Sequence, residues 1–186
     1  MENNTPYIVN VNTDVFIPYY NEFGELRTIV LEKNACKEEA LSPYKLVDYN
    51  LRYYGSSMRG ARDGTKAIIG NVSLAPVMIN EKQGIYMVPS KSPRSDGCIW
   101  FNLDAYLRCE PDQMGGTYVI LTNGNIIQVD VPRDKMEKLF NTAYILKSKR
   151  EKRTKQMEQT ETISKRFFVK FNPKQLNFEL FEEEHE

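Results

Sequence analysis

Residues 117–158 leave a chain of this kind little choice of architecture. TYVILT and NIIQVDV are β-branched and aromatic runs, and Asn123-Gly124 between them reads as a type I′ hairpin turn. Pro132 ends the second strand. Behind it Met136, Leu139, Phe140, Ala143, Tyr144 and Leu146 recur at spacings of three and four, which predicts one helix over 134–158. The apolar stripe stops at Leu146 and KSKREKRTKQ follows. That half of the helix is either solvated or laid on something negative.

The remaining pattern adds strands. Residues 7–11 (YIVNV) and 14–20 (DVFIPYY) read as a hairpin across Asn12-Thr13, and Leu26–Glu32 as the third strand of a meander. Residues 33–42 are polar and connective. Ser42-Pro43 is a helix start, with Val47, Leu51 and Tyr54 on one face and Gly55 as the stop; the alternative is a strand through 45–49. Residues 66–69, 77–79 and 85–88 are expected strands. Residues 90–97 are a polar loop carrying Lys91 and Arg94, and 98–101 (CIWF) a short apolar run. Trp100 has two readings, a core residue or a base-stacking ring beside that loop. Residues 166–171 read as a strand broken by Asn172-Pro173, and 176–181 as a last apolar piece. The expectation is an α+β fold: a single β-rich domain of hairpins and meanders over 1–175, with one long helix after the Asn-Gly hairpin. Residues 176–186 form an acidic tail for which helix, strand and disorder all stay open.

Composition removes whole classes of function. At 186 residues and 41% hydrophobic the chain has the material for a real core. No apolar run approaches the ~18 residues of a membrane span. MENNTPYIVN has neither a basic nor an apolar segment of a secretory signal, so a cytoplasmic protein is expected. Cys36, Cys98 and Cys109 make no CxxC and read as reduced thiols. The only histidine, His185, sits in the acidic tail, which argues against histidine triads, Cys–His nucleophiles and histidine metal sites. Neither a cofactor nor a catalytic activity is expected.

A net charge of zero hides strong segregation. Residues 147–155 carry six bases and one acid, 179–186 five acids and no Lys or Arg, and 52–66 four bases and one acid. Such a layout fits a basic working surface and an acidic tail. The central stretch, residues 52–65, is RYYGSSMRGARDGT. Glycine permits close backbone approach, serine and backbone N–H groups bond anionic oxygens, and arginine does so bidentately. The stretch therefore reads as an anion-facing loop held by Tyr53 and Tyr54, against the plainer reading of a soluble surface turn. Gly55 and Gly60 have P-loop spacing, but Ala61-Arg62 stands where Lys-Ser/Thr is required, and no GxGxxG opens a helix. Two separate basic clusters point instead to an extended polyanion. Zinc-finger spacing, a basic zipper and RNP aromatics are missing, and the density of strand signals argues against a helix-turn-helix. The candidate contacts are Arg52, Ser56, Ser57, Arg59, Arg62 and Lys66, supplemented by Lys147, Lys149, Arg150 and Arg153. A basic surface that meets an acidic protein partner is the alternative.

The stretch RYYGSSMRGARDGT resembles the R-[FY]-[FY]-G-S-S-x-x-G-R-x-x-G-T core of the ComK-type competence transcription factors, bacterial regulators of DNA-uptake genes. APVMIN with IYMVPSKSP, then CIWFN, then TNGNIIQVDVPRDKMEKLFNTAYILKSK are similar to further family segments in family order. The family arginine after the second glycine falls one residue later here, as Ala61-Arg62 behind Arg59. Arg59 and Arg62 are thus two candidates for the groove-facing arginine. Asn141 stands where the family has arginine. The resemblance implies binding of double-stranded DNA at paired A/T-rich boxes, largely through the minor groove, by a self-associated dimer or tetramer. It also implies activation with RNA polymerase, turnover through an adaptor and protease, and a cytoplasmic, nucleoid-bound location.

Overall fold

The computed structural model describes residues 5–158, 166–174 and 177–183. In chain order the elements are β1 (Thr13–Tyr20), β2 (Leu26–Glu32), β3 (Ala35–Glu39), α1 (Pro43–Tyr53), α2 (Met58–Ile69), β4 (Val77–Asn80), β5 (Ile85–Pro89) and β6 (Trp100–Asn102). A short 3₁₀ turn (Leu103–Ala105) follows, then β7 (Tyr106–Pro111), β8 (Thr117–Leu121), β9 (Ile126–Val129), α3 (Arg133–Glu158), β10 (Arg166–Asn172) and β11 (Asn177–Glu183). The fold is α+β and rich in antiparallel hairpins, with the long helix directly after the Asn-Gly hairpin. Two compact units form, Met1–Lys152 and Arg153–Glu186. In the second, β10 and β11 pair antiparallel from Arg166↔Glu183 to Asn172↔Asn177. The boundary expected between residues 175 and 176, and His185, lie outside the described residues.

In the first unit a six-stranded sheet runs β3-β2-β1-β6-β5-β4, and a three-stranded sheet runs β7-β8-β9. Both faces of the larger sheet are covered, because consecutive residues of its inner strands are apolar: Val15 and Phe16 of β1, Trp100 and Phe101 of β6, and Ile85, Tyr86, Met87 and Val88 of β5. Successive strand residues point to opposite faces. Val15, Phe101, Tyr86 and Val88 therefore enter one core with β8, β9 and the first half of α3. Their neighbours Phe16, Trp100, Ile85 and Met87 enter a second core with α1 and the start of α2. Trp100 is fully buried there, which decides between its two readings. On the other side Tyr106 stacks on Phe140 with ring centroids 3.7 Å apart. Cys98 and Cys109 are buried and Cys36 exposed; burial pushes the Cys98 thiol up to about 11, so it is an inert filler. Among the described residues no helix is long and apolar enough to cross a membrane.

Four local expectations are corrected. Residues 7–11 are not a strand: the Val9 N–H donates to Asn50 Oδ1 (2.7 Å), Asn50 Nδ2 donates to the Tyr7 carbonyl (2.9 Å), and the Tyr54 hydroxyl donates to the Val9 carbonyl. With side chains satisfying its backbone, the segment needs no sheet partner. The meander's third strand is β3 instead, in the stretch expected to be a connector, with Cys36 opposite Leu31. Four of its five residues are exposed and three, Lys37, Glu38 and Glu39, are charged, as an edge strand tolerates. The 121–125 turn is not type I′. Gly124 alone takes positive φ (+89°), and Gly124 N–H bonds to the Leu121 carbonyl and Leu121 N–H to the Asn125 carbonyl. That is a type I turn followed by a glycine bulge, the three-residue hairpin solution. Finally, residues 66–69 are the last turn of a helix, not a strand.

Candidate nucleic-acid interface

The glycine-rich stretch is a helix, a tight turn and a second helix rather than an extended loop. The two helices, α1 and α2, are joined by the four residues 54–57. Helix α1 begins at Ser42-Pro43 and buries Leu46, Val47 and Leu51. It stops in a Schellman motif: the Ser56 N–H donates to the Leu51 carbonyl (2.7 Å) and the Gly55 N–H to the Arg52 carbonyl (3.0 Å). Gly55 supplies the left-handed residue this requires, at φ +85°. A Cβ there meets nothing, so the cost of replacing it is conformational. Gly55→Val should therefore lose about 1–2 kcal/mol or more, and Ser56→Ala almost nothing, in urea denaturation.

Helix α2 starts where Ser57 Oγ accepts the Gly60 N–H (3.1 Å) and Asp48 Oδ1 accepts the Met58 N–H (2.9 Å). The other carboxylate oxygen of Asp48 holds Arg52 Nε at 2.8 Å. Burial alone would push the Asp48 carboxyl up, but those two hydrogen bonds and the Arg52 charge together outweigh it and hold the group below its ordinary 3.8. An acid lowered on folding contributes stability that is present above its unfolded value and is lost as pH falls through the folded one. Acidification below 3.8 should thus cost the wild type a fraction of its stability that Asp48→Asn does not lose, read as the pH dependence of the urea midpoint.

Within α2, Met58, Ala61, Thr65, Ile68 and Ile69 turn inward at helical spacing, and Thr65 Oγ1 donates to the Pro76 carbonyl at 2.9 Å. Gly60 and Gly64 sit in the helix interior, where each costs about 1 kcal/mol relative to alanine. A Cβ at Gly64 meets nothing within 4 Å. Gly64→Ala should stabilise the fold by about 0.5–1 kcal/mol in the same denaturation assay. The helix accordingly rests on its caps and its inner face.

The outer face carries the charge. Arg59, Arg62, Asp63 and Lys66 follow one another at i, i+3, i+4 and i+7. They line an open groove of about 510 Å³ together with Tyr44 of α1 and Arg94 from the 90–97 loop. Arg59, Arg62, Lys66 and Arg94 are all exposed. The Arg59–Asp63 ion pair inside the groove is long at 3.9 Å and almost wholly in water. Four cations thus converge on one groove against one carboxylate. Arg59 and Arg62 share this face, so both candidate arginines line the same groove. Arg94 was legible only as a base in a polar loop; its neighbours in space come from elements distant in the chain.

The other expected contacts are placed differently. Arg52 is exposed but engaged with Asp48, and the Ser57 hydroxyl caps α2, so neither is a spare anion donor. Ser56 lies on the opposite side of α2 with Gly60 and Gly64, lining a second cleft with Arg150. On α3, Lys147 Nζ pairs with Asp104 (2.7 Å) and Arg150 with Glu81 (2.9 Å), ties that fasten the helix to the rest of its unit. Lys149 is exposed. Arg153 is exposed and belongs to the second unit.

Residues 4–155 match the model of a family described as ComK protein. The chain belongs to the ComK family. A curated relative, the competence transcription factor of Bacillus subtilis (strain 168), is 24% identical over 140 residues, which covers 75% of this chain and 72% of the relative. No solved structure matches. The ComK match contains both cores, α1, α2 and the basic groove, whereas β10 and β11 fall beyond it.

Proposed function

We propose that this chain is a transcription regulator of competence genes that binds A/T-rich duplex DNA through the groove beside α2. The convergence of Arg59, Arg62, Lys66 and Arg94 on one exposed groove carries the reading. Like charges gathered this closely repel one another unless a polyanion neutralises them. Arginines also gain most in a narrow minor groove, where the negative potential is enhanced, which makes A/T-rich sequence the natural partner. Family membership supports the same biology: assembly as a dimer or tetramer on paired boxes, activation with RNA polymerase in the cytoplasm, and turnover through an adaptor.

A gel-shift titration across salt tests the reading, with an A/T-rich duplex, a G/C-rich duplex of equal length, and a version of the first in which inosine·cytosine replaces A·T. Inosine·cytosine keeps the A·T pattern in the minor groove and changes the major-groove face. Retention of the inosine duplex with rejection of the G/C duplex is the expected result. Loss of both points to the major groove, and equal binding of all three to a sequence-blind basic surface.

A further inference from the structure

The groove has two walls, and the second is built with as much care as the first. Arg94 is the third residue of a β-turn in which the Ser95 N–H donates to the Ser92 carbonyl (2.8 Å), with Pro93 presetting the turn's second position. The loop is closed at its base. The Ser90 N–H reaches the Ile99 carbonyl, the Ile99 N–H returns to Ser90 Oγ (2.9 Å), and Lys91 Nζ pairs with Asp130 at 2.7 Å. Lys91, the other base of the loop, is thus spent on holding it, while Arg94 is left at the apex. Its guanidinium lies over the ring of Tyr44, 5.5 Å from the centroid. Tyr44 is itself half-buried against the second core. A guanidinium laid on an aromatic face keeps its edge N–H groups free for an anion.

We propose that Arg94 is a DNA contact that grips a phosphate of the bound duplex from the wall opposite α2, with Tyr44 as its positioning residue. This rests on the reading that the groove takes duplex DNA. One strand of the backbone then runs between the two walls, with Arg59, Arg62 and Lys66 on one side and Arg94 on the other.

The test is anisotropy titration of a labelled A/T-rich duplex across salt with wild type, Arg94→Ala, Arg94→Lys, Tyr44→Leu, Tyr44→Phe and, as comparator, Arg62→Ala. Arg94 is exposed, so its replacement leaves the fold intact, which thermal melts verify. Arg94→Ala should bind about tenfold more weakly, with a salt slope flatter by about 0.9, the signature of one lost phosphate contact. Arg94→Lys should keep the slope and lose part of the affinity. Tyr44→Leu should likewise weaken binding at unchanged slope, because the charge remains and only its placement is lost, and Tyr44→Phe should behave as wild type. Wild-type affinity and slope in Arg94→Ala, with Arg62→Ala impaired, would overturn the second wall alone. If Arg62→Ala is also unaffected while the wild type binds, the groove itself is the wrong site.

Discussion

Alanine at both Arg59 and Arg62 is expected to weaken binding to an A/T-rich duplex about 100-fold at low salt and to flatten the salt slope by about 1.8. The two residues lie one helical turn apart on the exposed face of α2 and line the same groove. Neither is buried, and Arg59 has only a long, solvent-screened pair with Asp63, so the fold loses almost nothing when they are cut. The effect should therefore appear in affinity while the urea midpoint stays put. Arg62→Ala alone should cost more than Arg59→Ala alone, since Asp63 already offsets part of the Arg59 charge. A folded double variant that binds as tightly as the wild type, with the same slope, removes α2 from the interface. The comparison with Arg52→Ala is informative because Arg52 lies in the same stretch but is tied to Asp48; its loss should leave binding within about threefold.

The second large effect is on stability. Asn50→Leu should destabilise the first unit by about 3 kcal/mol or more, out of the 5–15 kcal/mol that holds a typical domain together. Asn50 is fully buried in α1 and makes three hydrogen bonds: it accepts from the Val9 N–H and donates to the carbonyls of Tyr7 and Leu46. Leucine fills the volume but leaves the Val9 N–H and the Tyr7 carbonyl without partners in an apolar setting, where each costs about 1–3 kcal/mol. Val9 is itself a core residue, so release of the segment also exposes the second core. A fall of roughly 10 °C in Tm checks this. An unchanged Tm would mean that residues 7–11 are held by something other than Asn50.

What could be read from the residues divides along physical lines. The α3 stripe, the Asn-Gly hairpin, β2, β4, β5 and the start of α1 were legible because local periodicity and punctuation agree with the tertiary result. Helix α2 was hidden by Gly60 and Gly64, which mask the helical spacing of Met58, Ala61, Thr65 and Ile68. Local propensity there is poor, and packing overrides it. Residues 7–11 misled in the opposite sense: their composition suits a strand, but Asn50, far along the chain, takes up the backbone groups. The basic character of residues 52–66 was plain, and Arg59, Arg62 and Lys66 do come together. That Arg52 and Ser57 are occupied by Asp48 and by the Gly60 N–H is a matter of capping geometry that type and spacing do not reveal. Arg94 needed the fold itself, since a base in a Ser/Pro loop is ordinary until a tyrosine from α1 lies beneath it.

Directed cleavage from the groove tests the central claim most directly. Cys98 and Cys109 are buried, and Cys36 lies exposed on β3, at the far edge of the sheet from β4, on which α2 packs. A thiol-reactive iron chelate placed at Asn71→Cys in a Cys36→Ser background sits at the groove, and the same reagent on wild-type Cys36 sits away from it. Strand cleavage centred on the A/T-rich box is expected from position 71 and none from position 36. Cleavage from position 36, with an intact duplex around position 71, would contradict it.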